Sequence, residues 1–277
     1  MVEHQITLVR RGPAPPLRGL VAGLVGISER APGLVQRRQP AGSLVPLVIS
    51  VSAPLHVDHL SDATGAGRGY GSFVAGFSPG HASTSFIGRQ DCVQVYLYPL
   101  GVSRVLGLPA EQVSRRVTPL DELLPGIGLL AEQLADRNSW AERLALVQAQ
   151  VQQWASRDDA GTPGWVVWLW NRMSASGGRV RIADLVAETG WSHRHVTTTF
   201  TAYAGLSPKQ AADIVRFEQA SADLGRLSLA ELATKHGYAD QSHFTRAVTR
   251  YAGESPTQLL AARRPTPATA LGLELST

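Results

Sequence analysis

The sequence predicts an α+β protein of two domains. The first is an N-terminal β-barrel or sandwich followed by a helical hairpin, and the second is a C-terminal all-α domain with two helix-turn-helix units. Three observations predict it. Strand-like alternation is confined to roughly the first hundred residues, helical spacing dominates from Asp121 onward, and one helical motif occurs twice near the C-terminus. A length of 277 residues also favours two domains over one.

Residues 1–40 carry Pro, Gly and Arg with little periodicity, and Pro13, Pro15 and Pro16 oppose regular structure. Leu44 to Leu60 reads as strand, because Val45, Leu47, Ile49 and Val51 alternate with other residues. Ser72–Phe77 and Ser83–Ile87 read as further short strands. Val93, Val95 and Leu97 alternate with Gln94, Tyr96 and Tyr98, which gives a strand with two distinct faces. Turn-forming clusters such as Ser78-Pro79-Gly80 separate these runs, and the pattern fits a small antiparallel β-domain.

Helical signals follow. Tyr98-Pro99 leads into Ser103–Leu108, and Pro109-Ala110-Glu111 starts a helix. Asp121–Leu134 and Trp140–Trp154 read as two helices, with Ser139 as N-cap and Glu142 three residues on. Leu144, Val147, Val151 and Trp154 form an apolar stripe. It serves either packing on the chain's own barrel or contact with a second copy, and spacing does not choose between them. The polar, turn-forming run Arg157–Gly164 divides the chain. The domains read as 1–157, a linker over 158–164, a helical domain over 165–264, and a tail over 265–277 with Pro265 and Pro267 near its start. Trp165 to Ser174 is the first helix of the second domain, with Trp165, Trp168 and Leu169 as core.

The repeat lies in that domain. Leu229, Leu232 and Ala233 mark a short helix, Gly237 sits at a sharp turn where a positive φ is cheap for glycine, and Phe244, Val248 and Tyr251 mark a second helix. Upstream, Ile182, Leu185 and Val186 precede Gly190 and a helix bearing Phe200. Ile182 matches Leu229 and Gly190 matches Gly237 at one shift, while Phe200 matches Val248 and Pro208 matches Pro256 at a shift longer by one. The second copy therefore holds an extra residue in or just after its turn. Ser207-Pro208 opens the joining helix, with Ser as N-cap and Pro at the first helical position.

Gly237-Tyr238, Ser242, Phe244, Arg246, the ending Gly253-x-Ser255-Pro256 and the repeated Gly205-x-Ser207-Pro208 resemble the DNA-binding domain of AraC/XylS-type transcription regulators. The resemblance covers about residues 164–262. Departures are Thr198 where many first units carry Arg, Val248 where second units carry Phe, and Val186 where Ala is usual. A weaker resemblance over Leu106–Pro109 and Val117–Leu120 implies that the N-terminal domain is a cupin-like regulatory barrel.

The resemblance implies base-facing positions Gln241, Ser242, Thr245 and Arg246 in the second unit, and Arg194, Thr197 and Thr198 in the first, with His193 reaching phosphate. The residue chemistry agrees: Arg pairs with guanine O6 and N7, and Gln with adenine. Asp240 suits a helix N-terminus better than a cytosine contact. His195 suits helix packing.

Other motifs point away from catalysis. On a strand, His56 and Asp58 point one way and His59 the other, and His81 reads as isolated, so no metal site is expected. Gly65–Gly71 is followed by strand rather than helix, which fits a loop and not a phosphate cradle. Cys92 is the one cysteine, which excludes an internal disulfide framework and fits a reducing cytoplasm; it reads as a buried thiol. Met1 to Arg11 lacks the apolar run of a signal peptide or membrane helix. No catalytic residues and no cofactor are expected. The net charge of +4 is spread as 14 basic against 13 acidic residues over 1–160 and 12 against 9 over 161–277, so the C-terminal part is the more basic.

The expected function is that of a cytoplasmic one-component regulator. It binds double-stranded promoter or operator DNA and a small-molecule effector in its N-terminal domain, with no membrane partner. Two alternatives stand beside it: an effectorless regulator whose N-terminal domain only dimerises or contacts a protein such as RNA polymerase, and an enzyme with an appended DNA-binding domain.

Overall fold

The structure is a computed structural model that describes residues 4–156 and 161–262. Residues 158–160 of the expected linker and the expected tail over 265–277 lie outside the described residues.

Eight strands form one antiparallel sheet: β1 (Gln5–Arg11), β2 (Val21–Gln39), β3 (Val45–Ser50), β4 (Leu55–Leu60), β5 (Arg68–Tyr70), β6 (Phe73–Ala75), β7 (Ala82–Leu97) and β8 (Val117–Pro119). The main order is β1-β2-β7-β3-β6-β8, with β4 pairing β5 and the first part of β7. The long strand β7 organises the sheet. Its second half holds β2 on one edge and β3 on the other, while its first half holds β2 and β4. Residues 4–40 are thus not irregular. They contain β1 and the longest strand, with only a short 3-10 turn at Pro15–Leu17. The pairing of β2 with β7 breaks between Arg30 and Leu34, where Pro32 and Gly33 interrupt the ladder.

Alternation along the strands sorts side chains onto two faces. Val93, Val95 and Leu97 of β7, with Val45, Leu47 and Ile49 of β3, are buried in the main core. That core is roofed by helices α1 (Pro99–Leu106), α2 (Ile127–Ala135) and α3 (Trp140–Ala155). The opposite face, carrying Gln90, Cys92, Gln94 and Tyr96, curls around a cavity. Leu144, Val147, Val151 and Trp154 of α3 are each at most 2% exposed, so the apolar stripe is spent inside the chain. Trp140 packs directly over Gly26 of β2, where a Cβ would lie 2.4 Å from its ring. The helix expected at Pro109 is only a 3-10 turn over Ala110–Gln112, and that expected from Asp121 starts at Ile127.

The second domain is helical throughout: α4 (Gly164–Ala175), α5 (Ile182–Thr189), α6 (His193–Ala204), α7 (Pro208–Ala222), α8 (Leu229–Lys235), α9 (Gln241–Ala252) and α10 (Pro256–Ala262). The buried face of α4 is Val166, Leu169, Trp170 and Met173; Trp165 and Trp168 sit at its margin. Capping boxes at Ser207 with Gln210 and at Ser228 with Glu231 fix the starts of α7 and α8. No helix among the described residues is long and apolar enough to cross a membrane.

Candidate nucleic-acid interface and ligand cavity

Two helix pairs, α5–α6 and α8–α9, repeat the same design. In each, a glycine in the left-handed region follows the first helix, and a side-chain N-cap opens the second. Ser192 caps α6 by accepting from the His195 N–H, and Asp240 caps α9 by accepting from the His243 N–H at 2.7 Å. Gly190 to Ser192 spans three positions and Gly237 to Asp240 four, so the extra residue of the second copy falls inside its turn. Aligned on the caps, His193 matches Gln241, Arg194 matches Ser242, Thr197 matches Thr245, and Thr198 matches Arg246. The eight sequence-derived DNA positions are therefore four equivalent pairs. Six are exposed, and Thr197 and Thr245 are half-buried. Val196 and Phe200, and in the second unit Phe244, Val248 and Tyr251, hold the opposite faces in the core.

The far ends of these helices meet the first domain. Gly205 and Gly253 close α6 and α9 in the left-handed region. The Ser114 hydroxyl donates to the Gly205 carbonyl, and the Arg38 guanidinium donates to the Gly253 carbonyl at 2.7 Å. Arg38 also lies 3.8 Å from Glu254. The Ala41 N–H donates to the Tyr251 carbonyl at 2.8 Å, and both the amide and the hydroxyl of Ser43 donate to the buried Glu218 of α7. His81 packs on Gly253 and bonds to the backbone of Arg250. Burial holds its pKa below the usual imidazole range, and Arg38 and His59 add to this.

The segment that makes these contacts is also a wall of the cavity. Arg37, Gln39, Pro40, Ala41, Gly42 and Leu44 line a space of about 330 Å³, and so does His81. That volume is in the range of small-molecule sites. Apolar walls come from Val25, Ile27, Val48, Val57, Phe73, Phe77 and Phe86. Polar groups line it as well. The carboxylate of Glu29, only 3% exposed, takes His4 Nε2 at 2.7 Å and the Arg37 guanidinium. The Tyr96 hydroxyl donates to Gln94, whose amide reaches the Cys92 sulfur at 3.9 Å. Burial pushes the Cys92 thiol up to about 12, which leaves it protonated and unreactive.

Residues 185–262 match the model of a helix-turn-helix domain, from within α5 to the end of α10. The C-terminal domain is thus a helix-turn-helix domain. Solved structures similar to the chain include the C-terminal domain of AraT, a response regulator from Geobacillus stearothermophilus. It is 20% identical over 38% of this chain and 91% of that one, with a TM-score of 0.35. ToxT from Vibrio cholerae is 12% identical over 93% of this chain and 98% of that one, with a TM-score of 0.47. A ToxT structure with a bound unsaturated fatty acid is 12% identical over 94% and 97% of the two chains, with a TM-score of 0.44. No curated protein matches the chain.

The His195 ring packs between Trp191 and Trp165, with centroids 4.6 and 5.8 Å away, in keeping with a packing role. His56 pairs with Asp58 at 2.9 Å, whereas His59 leaves them to meet His81 at 5.7 Å between centroids. His81 is therefore not isolated; strand pairing of β4 with β7 brings it there. Among the described residues, none of Gly65–Gly71 lines the cavity. Arg38, Ser43, Ser114 and Glu29 did not stand out in the sequence, because their partners lie far away along the chain.

Proposed function

We propose that this chain is a transcription regulator that binds double-stranded DNA sequence-specifically and is modulated by a small molecule in its N-terminal barrel. The helices α6 and α9 enter successive major grooves, about 34 Å apart along the duplex. Arg194, Thr197, Thr198, Gln241, Ser242, Thr245 and Arg246 read base edges or phosphates, and His193 reaches phosphate. The single observation that carries this reading is the pairwise equivalence of the eight positions on two capped helices whose other faces are buried. Recognition helices read bases with their N-terminal residues. Here those ends are exposed while the C-terminal ends are held by the first domain.

The cavity supports an effector over a purely structural barrel. A barrel used only for dimerisation would fill its interior, whereas this one keeps about 330 Å³ with apolar walls and a few buried polar groups. Its wall segment at residues 37–44 also holds the second domain, so a ligand that moves that wall changes how the recognition helices are held. Modulation requires that the ligand bind the two arrangements with different affinity.

Selection of binding sites from a randomised duplex pool, followed by footprinting, tests this reading. It predicts two protected major-groove segments on one face of the DNA, about one helical turn apart. Protection of a single groove, or enrichment of no sequence, would contradict it.

A further inference from the structure

We infer that the effector cavity takes a mainly apolar molecule whose one polar head is a neutral donor–acceptor group of the amide type, read by Gln90. This rests on the proposal that the cavity is a ligand site, and deepens it by naming the ligand's chemistry. Gln90 projects from β7 into the cavity and is only 4% exposed. Its side-chain Nε2 and Oε1 are both buried, and neither has a nitrogen or oxygen partner. The Cys92 thiol beside it is a weak partner only. Buried amides are almost always paired, because leaving one unpaired forfeits its hydration without replacement. An unpaired amide aimed into a cavity is the complement of something that is to be bound there.

The neighbouring polar groups are already engaged. Glu29 is taken by His4 and Arg37, and Gln94 by Tyr96. Gln90 thus presents one donor and one acceptor side by side. A primary amide, a lactam or an undissociated acid answers both with two parallel bonds. A carboxylate answers only Nε2 and sets its charge against Oε1. An ammonium answers only Oε1. Arg10 and Arg116 also line the cavity, but both are exposed, and an exposed cation holds an anion less well than a buried one would. Val25, Val48, Val57, Phe73 and Phe86 give the wall its apolar stretches, and Gln39, Ser78, His81 and Thr84 line it elsewhere.

The test is calorimetric titration of the full-length protein at pH 7.5 with octanamide and octanoate, on wild type, Gln90→Leu and Gln90→Met. Octanamide is expected to bind wild type more tightly than octanoate does, and to lose at least tenfold in affinity in either variant. Octanoate affinity is expected to stay within about twofold. Removing an unpaired buried amide should not lower the melting temperature, and whichever variant keeps the wild-type transition serves for the comparison. Tighter binding of octanoate, or octanamide binding indifferent to both substitutions, would overturn the assignment to Gln90 while leaving the cavity a ligand site. Binding of neither probe at millimolar concentration would overturn the inference and the effector reading together.

Discussion

Arg38 of the barrel donates to the carbonyl of Gly253, the residue that ends α9, at 2.7 Å. Ser114 makes the same kind of bond to Gly205 at the end of α6. The first domain thereby holds both helices by equivalent backbone atoms.

Gly253→Ala tests this docking. Its φ of +70° lies in the left-handed region, and a Cβ there would stand 2.4 Å from His81 Nε2. The backbone change alone should cost about 1–2 kcal/mol. Displacement of His81 adds to it. In a double-mutant cycle by urea unfolding, His81→Ala should relieve part of the cost of Gly253→Ala. Strict additivity would show that the two residues do not meet.

His81 also predicts a pH dependence. Its pKa is held down mainly by burial, with Arg38 and His59 contributing, while the Arg250 backbone bond and Glu254 pull the other way. The unfolded chain therefore binds the proton more readily than the folded one. This contribution to stability is complete above the ordinary imidazole value of about 6.5 and fades as pH falls through the depressed folded value. His236 is shifted in the same direction, by burial. The difference between wild type and His81→Gln, followed by urea unfolding from pH 7.5 to pH 5, isolates His81. Wild type should lose ground to the variant as pH falls. A constant difference would contradict the depressed value.

Leu144→Ala should destabilise the protein by roughly 2–5 kcal/mol, the usual cost of emptying a well-packed leucine site. Leu144 is 1% exposed within the chain itself. The unfolding midpoints of wild type and variant should therefore not move with protein concentration. A midpoint that rises with concentration, and a rise abolished by the substitution, would return the stripe to a dimer interface.

Asp240→Ala should cost about 0.5–2 kcal/mol, because the side chain accepts from the His243 N–H at 2.7 Å. Asp240→Asn keeps an acceptor and should retain stability and DNA affinity together. Retained stability with altered base preference in the Asn variant would instead make Asp240 a base reader.

The helix-turn-helix units were legible because helical spacing, caps and turn glycines are local signals. Ser139, Ser207 and Asp240 cap the helices that their neighbours specify. The strand β2 was hidden by its glycines and Pro32. Gly26 is there to admit Trp140, and Pro32-Gly33 sits at a break in the ladder. These are tertiary demands with no local periodicity. The alternation over Val93–Tyr98 did announce two faces, but not that one of them borders a cavity. The contacts of Arg38, Ser43 and Ser114 with the second domain leave no trace in the sequence around them.

The most direct test of the central claim is DNA binding by wild type and Arg246→Ala. Titrating each against the DNA upstream of its own gene and against unrelated duplex, at fixed salt, separates specific from non-specific affinity. Sequence-specific binding should weaken by about 1–3 kcal/mol in Arg246→Ala, the worth of one good bidentate contact, with little change on unrelated DNA. Equal binding of both duplexes by wild type at low salt, or none to either, would contradict the account.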